Sequence, residues 1–481
     1  MFSLGFVQNW FAPRANPIGV DFGSDCLRLA QVQYLGGEYK LIAAASADVP
    51  NHVRHDPAAR LAFFVETTRD LLAQGNFRTR QAVLGLPAAS MYIQHLRIAK
   101  LDEAETRKAI PWEARGKIPI DPSQALLRHV IAGEVYQDSD PKNEVIVMAA
   151  AREFINNLLA SAAKAKLDVI GMNVEPMALV DCFNHVYRRK SDSDVVNCFL
   201  DIGSVGARAI ISRGSQIYFA RTIPVGGEHF NKATAHAMRI NLEEAKLLRI
   251  KLCHAQPALD EHREKTAVQP PDPSRSSNAI TASSAEENSF ALLGAGLQAA
   301  SRQAVQTAEM RETVQQATGT VPPTRPVDPA LEEQANQAKL VEQAVREPLH
   351  KLIEELDLCR RYYESTFPSR PVQRLVFVGG EARQRGLCQY IAREMGLAAQ
   401  VGDPMVRMGR VSEIGIESGI DRRQPQPGWA VAIGLSLGQA NVSNAGAAAT
   451  SNRGADNTMP AAPRAAVAAP ATAAESDPAQ V

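Results

Sequence analysis

The feature of this sequence that most constrains its fold is a motif that occurs twice, far apart in the chain. The first copy reads IGVDFGSDCLRL over Ile18–Leu29, and the second reads CFLDIGSVGARAIISRG over Cys198–Gly214. In each copy a short apolar run ends in an aspartate, and a hydrophobic residue, a glycine and a serine precede the next apolar run. A spacing this long is not that of a solenoid repeat. The motif therefore predicts two similar halves that face something they share.

The composition narrows the class of protein. With 481 residues the chain is too long for a single core, so two large lobes with additional segments are expected. Its 52 basic and 52 acidic residues cancel, which gives no general attraction to nucleic acid or to an anionic membrane. The six cysteines are scattered, which favours reduced thiols over disulfides or zinc. Without a long apolar run or a basic n-region at its start, the sequence indicates a cytoplasmic protein.

Two stretches with globular patterns are separated by a segment of low complexity. The first stretch contains two sets of three predicted strands, Ile18–Phe22, Cys26–Leu35 and Tyr39–Val49, then Asn197–Asp201, Gly206–Ser212 and Gln216–Thr222. After Cys253 the sequence becomes rich in Pro, Ser, Ala and Glu, and this composition buries too little apolar surface to offset the entropy of ordering. Helical periodicity resumes near Val345, and an Ala/Pro-rich tail ends the chain.

The two copies of the motif each end a strand in a tight loop, because glycine permits backbone angles that a side chain forbids. Such a loop presents backbone N–H groups and a hydroxyl to an anion, and its aspartate can hold a hydrated Mg²⁺ ion. A β-turn without a ligand explains one copy alone, whereas two copies in matching contexts predict a clasp on a polyphosphate. Its predicted residues are Asp21, Gly23, Ser24, Asp201, Gly203 and Ser204, with Asp21 and Asp201 holding Mg²⁺ through water.

A third glycine motif follows later in the chain. The predicted strand Leu375–Val378 leads into Gly379, Gly380 and Glu381 and then into a helix. Adjacent glycines let the backbone approach a flat ring or a phosphate closely. A strand, a glycine pair and a helix are a common sequence by themselves. After two Asp-x-Gly-Ser loops, however, this order favours a nucleotide site.

The order of the three motifs resembles that of the actin-like ATPase superfamily. The resemblance implies an α/β, ribonuclease H-like fold of two lobes with an inserted subdomain. It also implies that the first two motifs bind the phosphates of ATP with Mg²⁺ and that the third borders the adenosine. Asn173–Phe183 is similar to a linking helix of that superfamily, and Glu175 would place a carboxylate near the attacking water. A glutamate stabilised by the helix dipole is the alternative. Gly428–Gly438 is similar to the second connecting helix.

Narrower matches point to the PilM family of type IV pilus assembly proteins. AIPWEARGKIPID at Ala109–Asp121 resembles a signature of that family, as does RTIPVGGEHFNKATAHAMRINLEEAKLLR at Arg221–Arg249. A solvated charged helix is the alternative for the end of the second segment. The nucleotide-site residues that the resemblance implies are Gly226 and Gly227 and, for ribose or adenine, Glu244 ahead of Glu243 and Arg249.

Composition and resemblance together divide the chain into segments. They are an N-terminal segment (1–16), the first lobe's core (17–81), an inserted subdomain (82–167), the first part of the second lobe (168–253), a mostly disordered low-complexity insertion (254–344), the second part of the second lobe with the adenosine motif (345–440) and a disordered tail (441–481).

The PilM resemblance implies a cytoplasmic scaffold at the inner face of the inner membrane. It would bind the N-terminal peptide of the inner-membrane protein PilN between the first lobe's core and the inserted subdomain. ATP would act as a latch, because a ligand that contacts both lobes stabilises the closed form, and any hydrolysis would be slow. Other pilus assembly components, membrane association through the partner and a homo-oligomer are also implied.

Two alternatives from other functional classes remain open. The first is a cell-division protein related to FtsA, which would need a basic amphipathic helix at its C-terminus. The tail here has almost no positive charge and no large apolar face. The second is an actin-fold sugar kinase, which would need a pocket for a second substrate and a positioned general base.

Overall fold

The computed structural model describes residues 15–267, 329–409, 416–417 and 420–445. By their contacts the described residues divide into two units, one of residues up to 253 and from 343 onward, the other within residues 254–342. The disorder expected for residues 268–328 and for the tail beyond residue 445 concerns positions outside the described residues. Within the described ranges, no helix combines the length and apolar character that a membrane crossing requires.

The first copy of the motif lies at the centre of a five-stranded sheet. Its strands are β1 (Ile18–Phe22), β2 (Cys26–Leu35), β3 (Glu38–Asp48), β4 (Gln81–Leu86) and β8 (Asp168–Val174). Their order is β3-β2-β1-β4-β8, and β1 is antiparallel to β2 and parallel to β4. The helices that connect β3 to β4 are α1 (Asn51–Arg54) and α2 (Pro57–Gln74). The Asp56 carboxylate caps α2 by accepting hydrogen bonds from two backbone amides.

The second copy of the motif lies at the centre of a sheet with the same topology. Its strands are β9 (Val196–Ile202), β10 (Ala207–Arg213), β11 (Gln216–Ile223), β12 (Arg374–Val378) and β13 (Ala398–Val401). Their order is β11-β10-β9-β12-β13, with β9 antiparallel to β10 and parallel to β12. The repeated motif thus forms the first hairpin of two equivalent sheets, which confirms the expected two-lobed α/β fold.

A third, smaller sheet is inserted into the first lobe. It consists of β5 (Met91–Ala99), β6 (Ala125–Gln137) and β7 (Asp140–Ala151) in the order β5-β7-β6. Helix α3 (Glu103–Glu113) covers it and shares a small apolar core with it. The inserted sheet is shorter than the expected range 82–167, because β4 pairs with β1 and because α4 (Arg152–Lys164) packs on α2.

The proline in α3 does not interrupt that helix, although a proline in a helix interior usually does. Pro111 lies within α3 and the helical hydrogen bonding continues past it, since the Ala114 amide donates to the Ile110 carbonyl at 2.8 Å. A proline removes its own amide donor from the ladder and crowds the carbonyl four residues earlier. The remaining bonds of this short helix persist on either side of it.

The remaining helices complete the architecture. They are α5 (Glu175–Val186), α6 (Lys190–Ser193), α7 (Gly227–Met238), α8 (Leu242–Ala267), α9 (Pro329–Ala344), α10 (Arg346–Thr366), α11 (Arg385–Met395) and α12 (Ala430–Ala445). Two helices extend beyond the expected bounds, since α8 continues past Cys253 and α12 reaches into the tail. Helix α9 lies within the insertion that was expected to be mostly disordered. Ala, Glu, Gln and Lys, which are common in α8 and α9, are strong helix formers.

Helix α12 packs unusually closely on the first lobe. A Cβ atom at Gly434 would lie 1.9 Å from the carbonyl oxygen of Ala178 in α5, and one at Gly19 in β1 would lie 1.9 Å from that of Ala432. The glycine in this helix therefore permits the close contact. Ile433, Leu435 and Leu437 join the first lobe's core through this contact.

Candidate functional site

Two buried aspartates occupy equivalent positions at the ends of the central strands of the two sheets. Asp21 and Asp201 end β1 and β9, and their residues are only 7% and 3% exposed. The two carboxylates are close enough for each to act electrostatically on the other. The structure therefore brings the aspartates of the two motifs together in the cleft between the lobes.

The loops that follow these aspartates close in the same way. The Gly23 amide donates to the carbonyl of Cys26 at 3.1 Å, and the Gly203 amide donates to the carbonyl of Gly206 at 3.0 Å. Ser24 and Ser204 are partly exposed. The two loops thus offer backbone groups and a hydroxyl on each side of the cleft, and phosphate binding by them stays a prediction.

Each loop is supported from outside the cleft by a different partner. In the first lobe, the Arg60 guanidinium donates to the carbonyls of Gly23 and Ser24 at 3.0 and 3.2 Å. In the second lobe, the Gly227 amide donates to the Gly203 carbonyl at 2.9 Å, and the Glu228 amide donates to the Ser204 carbonyl at 2.8 Å. Gly226 and Gly227 thus lie at the start of α7 directly against the second loop.

Each aspartate also has an arginine as its cross-strand neighbour, which the sequence analysis did not identify. Asp21 is opposite Arg28 in the β1–β2 hairpin, and Asp201 is opposite Arg208 in the β9–β10 hairpin. The signal is present in the sequence, because the same number of residues separates aspartate from arginine in both copies of the motif. The repeat therefore includes a charge pair in addition to the loop.

A third carboxylate, that of Glu175, completes the buried charge cluster. Glu175 begins α5 and is 4% exposed. One of its oxygens accepts a hydrogen bond from the Ala88 amide at 3.3 Å, and the other lies 3.1 Å from Nε of Arg208. The candidate catalytic residue therefore lies in the cleft, where it is paired with a cation from the opposite lobe.

Burial and mutual repulsion shift the pKa values of this cluster. Burial raises the pKa of Asp21 to about 6, against the opposing effect of Arg28 and with a contribution from Asp201. Burial likewise raises the pKa of Glu175 to about 7, against the effect of Arg208. Burial alone would lower the pKa of Arg208, but Asp201 and Glu175 raise it instead, so the guanidinium stays charged. A further bound cation would stabilise the ionised carboxylates.

The third motif meets the second aspartate directly. Gly379 follows β12 with a φ of +87°, and a Cβ atom there would lie 2.3 Å from Oδ1 of Asp201. Only glycine fits this position, because the backbone is in the left-handed region and the approach is too close for a side chain. Gly380 is exposed, and nothing lies within 4 Å of where its Cβ atom would be. The turn thus lines the cleft beside the second loop.

The Glu381 carboxylate is bound by Arg249 of α8. Nη2 of Arg249 donates to Glu381 at 2.5 Å, and Nη1 donates to Oδ1 of Asn231 in α7 at 2.7 Å. The Arg249 guanidinium also lies over the ring of Phe230. This arrangement joins α7, α8 and the third motif into one wall of the cleft.

The acidic pair at the start of α8 is occupied by local and interlobe contacts. Glu244 is exposed and forms a capping box with Asn241, in which each backbone amide donates to the other's side chain at 2.9 and 3.1 Å. Glu243 accepts a hydrogen bond from Asn51 of the first lobe. Contact of Glu244 with a ribose or adenine stays a prediction, whereas Arg249 already lies against the third motif.

The residues present fit a hydrated Mg²⁺ ion at Asp21 better than at Asp201. Asp201 already accepts two hydrogen bonds from Arg208, whereas the nearest cation to Asp21 is Arg28 at 3.8 Å. Among the described residues, no group of three or more His, Cys, Asp or Glu side chains has a metal-binding arrangement. Mg²⁺ bound through nucleotide phosphates, water and one or two carboxylates does not need such a group.

Two sheets of equal topology, with paired aspartate hairpins across a cleft, define the fold of the actin-like ATPase superfamily. Residues 19–256 match the family model for type IV pilus assembly protein PilM. These residues therefore belong to the PilM family. Residues 198–434 also match the model for cell division protein FtsA. No curated protein matches the sequence significantly.

Solved structures share the architecture at low sequence identity. The PilM–PilN type IV pilus biogenesis complex is 20% identical with a TM-score of 0.58, over 88% of this chain and 98% of that one. The ethanolamine utilization protein EutJ from Carboxydothermus hydrogenoformans is 13% identical with a TM-score of 0.42, over 89% and 90% of the two chains. MreB5 of Spiroplasma citri bound to ADP is 12% identical with a TM-score of 0.37, over 91% and 99%.

Proposed function

We propose that this type IV pilus assembly protein is an ATP-binding adaptor that couples its nucleotide state to the binding of a PilN-like partner. The partner would contribute the N-terminal cytoplasmic peptide of an inner-membrane protein, which would hold the adaptor at the inner face of that membrane. The observation that carries the proposal is the pair of buried aspartate hairpins, Asp21 and Asp201, that face each other across the cleft. The PilM family match and the fold shared with the PilM–PilN complex support the partner.

The chemistry of the cleft suits a nucleotide polyphosphate. Phosphate oxygens would accept hydrogen bonds from the two loops, with Ser24 and Ser204 on opposite sides. Asp21 would hold a hydrated Mg²⁺ ion through water, and that ion would supply positive charge to the phosphate oxygens. Gly379 and Gly380 would border the adenosine, with Glu381 and Arg249 behind them. Glu175 would orient a water molecule, and because it is paired with Arg208 we propose that hydrolysis is at most slow.

Asparagine at either cleft aspartate is expected to weaken the binding of Mg-ATP by about 10- to 100-fold. D21N removes the carboxylate that would hold Mg²⁺, and D201N removes the carboxylate that positions Arg208 beside the second loop. Isothermal titration calorimetry of the full chain, with D21N and D201N beside it, measures this effect. D121N is the matched control, because Asp121 is an exposed aspartate of the inserted subdomain. Absence of Mg-ATP binding by the unsubstituted protein would contradict the nucleotide site.

Contacts between the inserted sheet and the second lobe support the proposed coupling. Nε2 of His95 in β5 lies 3.2 Å from the Ala220 carbonyl of β11, and Gln216 donates to the Ala132 carbonyl at 3.2 Å. The Tyr362 hydroxyl of α10 donates to Glu144 of β7 at 2.7 Å. The inserted sheet is therefore part of the first lobe by sequence and rests on the second lobe in space. A change in the angle between the lobes would have to alter one of these attachments.

Mg-ATP is expected to change the affinity for the partner peptide by about 5-fold or more, a typical coupling between two sites on one protein. Fluorescence anisotropy with a labelled N-terminal peptide of the PilN-like protein measures this in the presence and absence of nucleotide. In D21N the nucleotide dependence should disappear while the affinity without nucleotide stays the same. Equal affinities of the unsubstituted protein under both conditions would contradict the coupling and leave an adaptor without a latch.

The FtsA family match over residues 198–434 favours a cell-division role as a second candidate. This match covers the second lobe and its adenosine motif, which both kinds of protein would share. A division protein of this type would attach to membranes by itself, whereas the proposed adaptor would attach through its partner. Sedimentation of the full chain with anionic vesicles, with and without the partner peptide fused to a lipid anchor, separates the two candidates.

A further inference from the structure

The two arginines of the repeated motif occupy equivalent positions but make different contacts. Arg28 pairs with its own hairpin's aspartate at 3.8 Å, its one ion pair among the described residues. Arg208 donates from Nε and Nη2 to a single oxygen of Asp201, at 3.0 and 2.5 Å, and also pairs with Glu175 at 3.1 Å. The arginine of the second lobe is therefore the more strongly bound of the two.

The pair between Arg208 and Glu175 crosses the cleft. Arg208 lies on β10 of the second lobe, whereas Glu175 lies at the start of α5, directly after β8 of the first lobe. The Arg208 side chain is 13% exposed and that of Glu175 is 5% exposed. This ion pair is a direct electrostatic contact between the lobes at the candidate site.

The Arg208 guanidinium also borders the second loop. A Cβ atom at Gly203 would lie 3.5 Å from its Nη2 and 4.0 Å from its Nη1. A phosphate held by the Gly203–Ser204 loop would therefore lie within reach of a guanidinium that already has two carboxylate partners. A phosphate can replace a carboxylate at a guanidinium fork, because it matches the fork's geometry and carries more negative charge.

We infer that Arg208 senses the terminal phosphate of the bound nucleotide by exchanging Glu175 for it. This inference rests on the proposed nucleotide site. Asp201 keeps its bonds to Arg208, because the two residues face each other within one hairpin and two nitrogens are involved. Glu175 gives up its single contact and keeps the Ala88 amide. A triphosphate thus breaks an ion pair between the lobes and frees the Glu175 carboxylate, whereas a diphosphate leaves the pair in place.

Glu175 and the terminal phosphate therefore compete for one cation, which fixes the expected effects of two opposite substitutions. R208Q should weaken ATP binding by about tenfold or more and ADP binding by less than about threefold, since only the terminal phosphate loses a partner. E175Q should strengthen ATP binding severalfold and leave ADP binding unchanged, because it removes the competitor. R28Q is the comparison variant and should weaken ATP and ADP binding by similar factors.

Calorimetric titration of the full chain and of these variants with Mg-ATP and Mg-ADP tests the inference through the ratio of the two affinities. A purely structural role for Arg208 would change both affinities together, and that result would overturn the inference while leaving the nucleotide site intact. If R208Q fails to fold, E175Q decides: an unchanged ATP-to-ADP ratio overturns the exchange, and a raised ratio supports it. Failure of the unsubstituted protein to bind either nucleotide would overturn the inference together with the proposed site.

Discussion

Glutamine in place of Glu144 is expected to lower the stability of the protein by about 3 kcal/mol, the range for breaking a buried ion pair from one side. Glu144 is 1% exposed in the central strand of the inserted sheet. It accepts hydrogen bonds from Arg97 at 3.1 Å and Tyr362 at 2.7 Å, and lies 3.0 Å from Nδ1 of His95. The substitution would leave Arg97 without its carboxylate and weaken the contact with the second lobe.

The pKa of Glu144 indicates the pH range in which its ion pair stabilises the protein. Burial alone would raise that pKa, but the hydrogen bonds from His95 and Tyr362 lower it below its usual value. A lowered pKa in the folded state means that the stabilisation is present at neutral pH and is lost as the pH falls through that pKa. Thermal melts of E144Q and the unsubstituted protein should therefore differ most at neutral pH and converge in acid.

E134Q provides the control, because Glu134 forms an exposed ion pair with Lys100 in the same subdomain. Exposed pairs contribute little to stability, so this variant should melt like the unsubstituted protein. Hydrogen exchange should also quicken in β5 and α10 of E144Q but not of E134Q. Identical melting of E144Q and E134Q would show that Glu144 does not hold the inserted sheet on the second lobe.

Alanine at Gly434 is expected to destabilise the first lobe by about 3 kcal/mol, the upper part of the range for an overpacked core. The added Cβ atom would lie 1.9 Å from the Ala178 carbonyl oxygen. That oxygen belongs to the backbone of α5, so relief requires the two helices to separate. The thermal midpoint should fall clearly, and the dependence of stability on denaturant concentration measures the change.

G386A is the matched control for this substitution. Gly386 lies in α11, and nothing lies within 4 Å of where its Cβ atom would be. Alanine is the better helix former, so this variant should be as stable as the unsubstituted protein or slightly more stable, by up to about 1 kcal/mol. A G434A protein that is as stable as G386A would mean that α12 does not pack against α5 as the structure describes.

The sequence predicted those parts of the fold that depend on local patterns of residues. Apolar runs that end at Asp21 and Asp201 define the central strands, and glycines at fixed offsets define their loops. Repetition adds a long-range inference, because two equal hairpins imply two equal sheets. The position of Gly379 beside Asp201 follows from the same logic, since β12 is parallel to β9 and ends at the same edge.

The parts that the sequence did not predict depend on contacts between distant segments. The pairing of Arg208 with Glu175 joins a hairpin of one lobe to a helix of the other, and no local pattern encodes it. The docking of the inserted sheet on β11 through His95 is of the same kind. For Glu244 the sequence could not choose between two roles. A glutamate in the first turn of a helix can cap the helix or bind a ligand, and both roles have the same sequence pattern.

The packing of α12 on β1 has a consequence for how the chain is made. Ser436 of α12 donates to the Pro17 carbonyl at 2.8 Å and accepts from the Val32 amide at 3.0 Å, so the first lobe uses residues from both ends of the described chain. Every strand of the second sheet has been synthesised by Val401, well before Ala430 leaves the ribosome. The first lobe is therefore completed last during synthesis. Until α12 has been made, the apolar surface of β1 and α5 that it covers stays exposed.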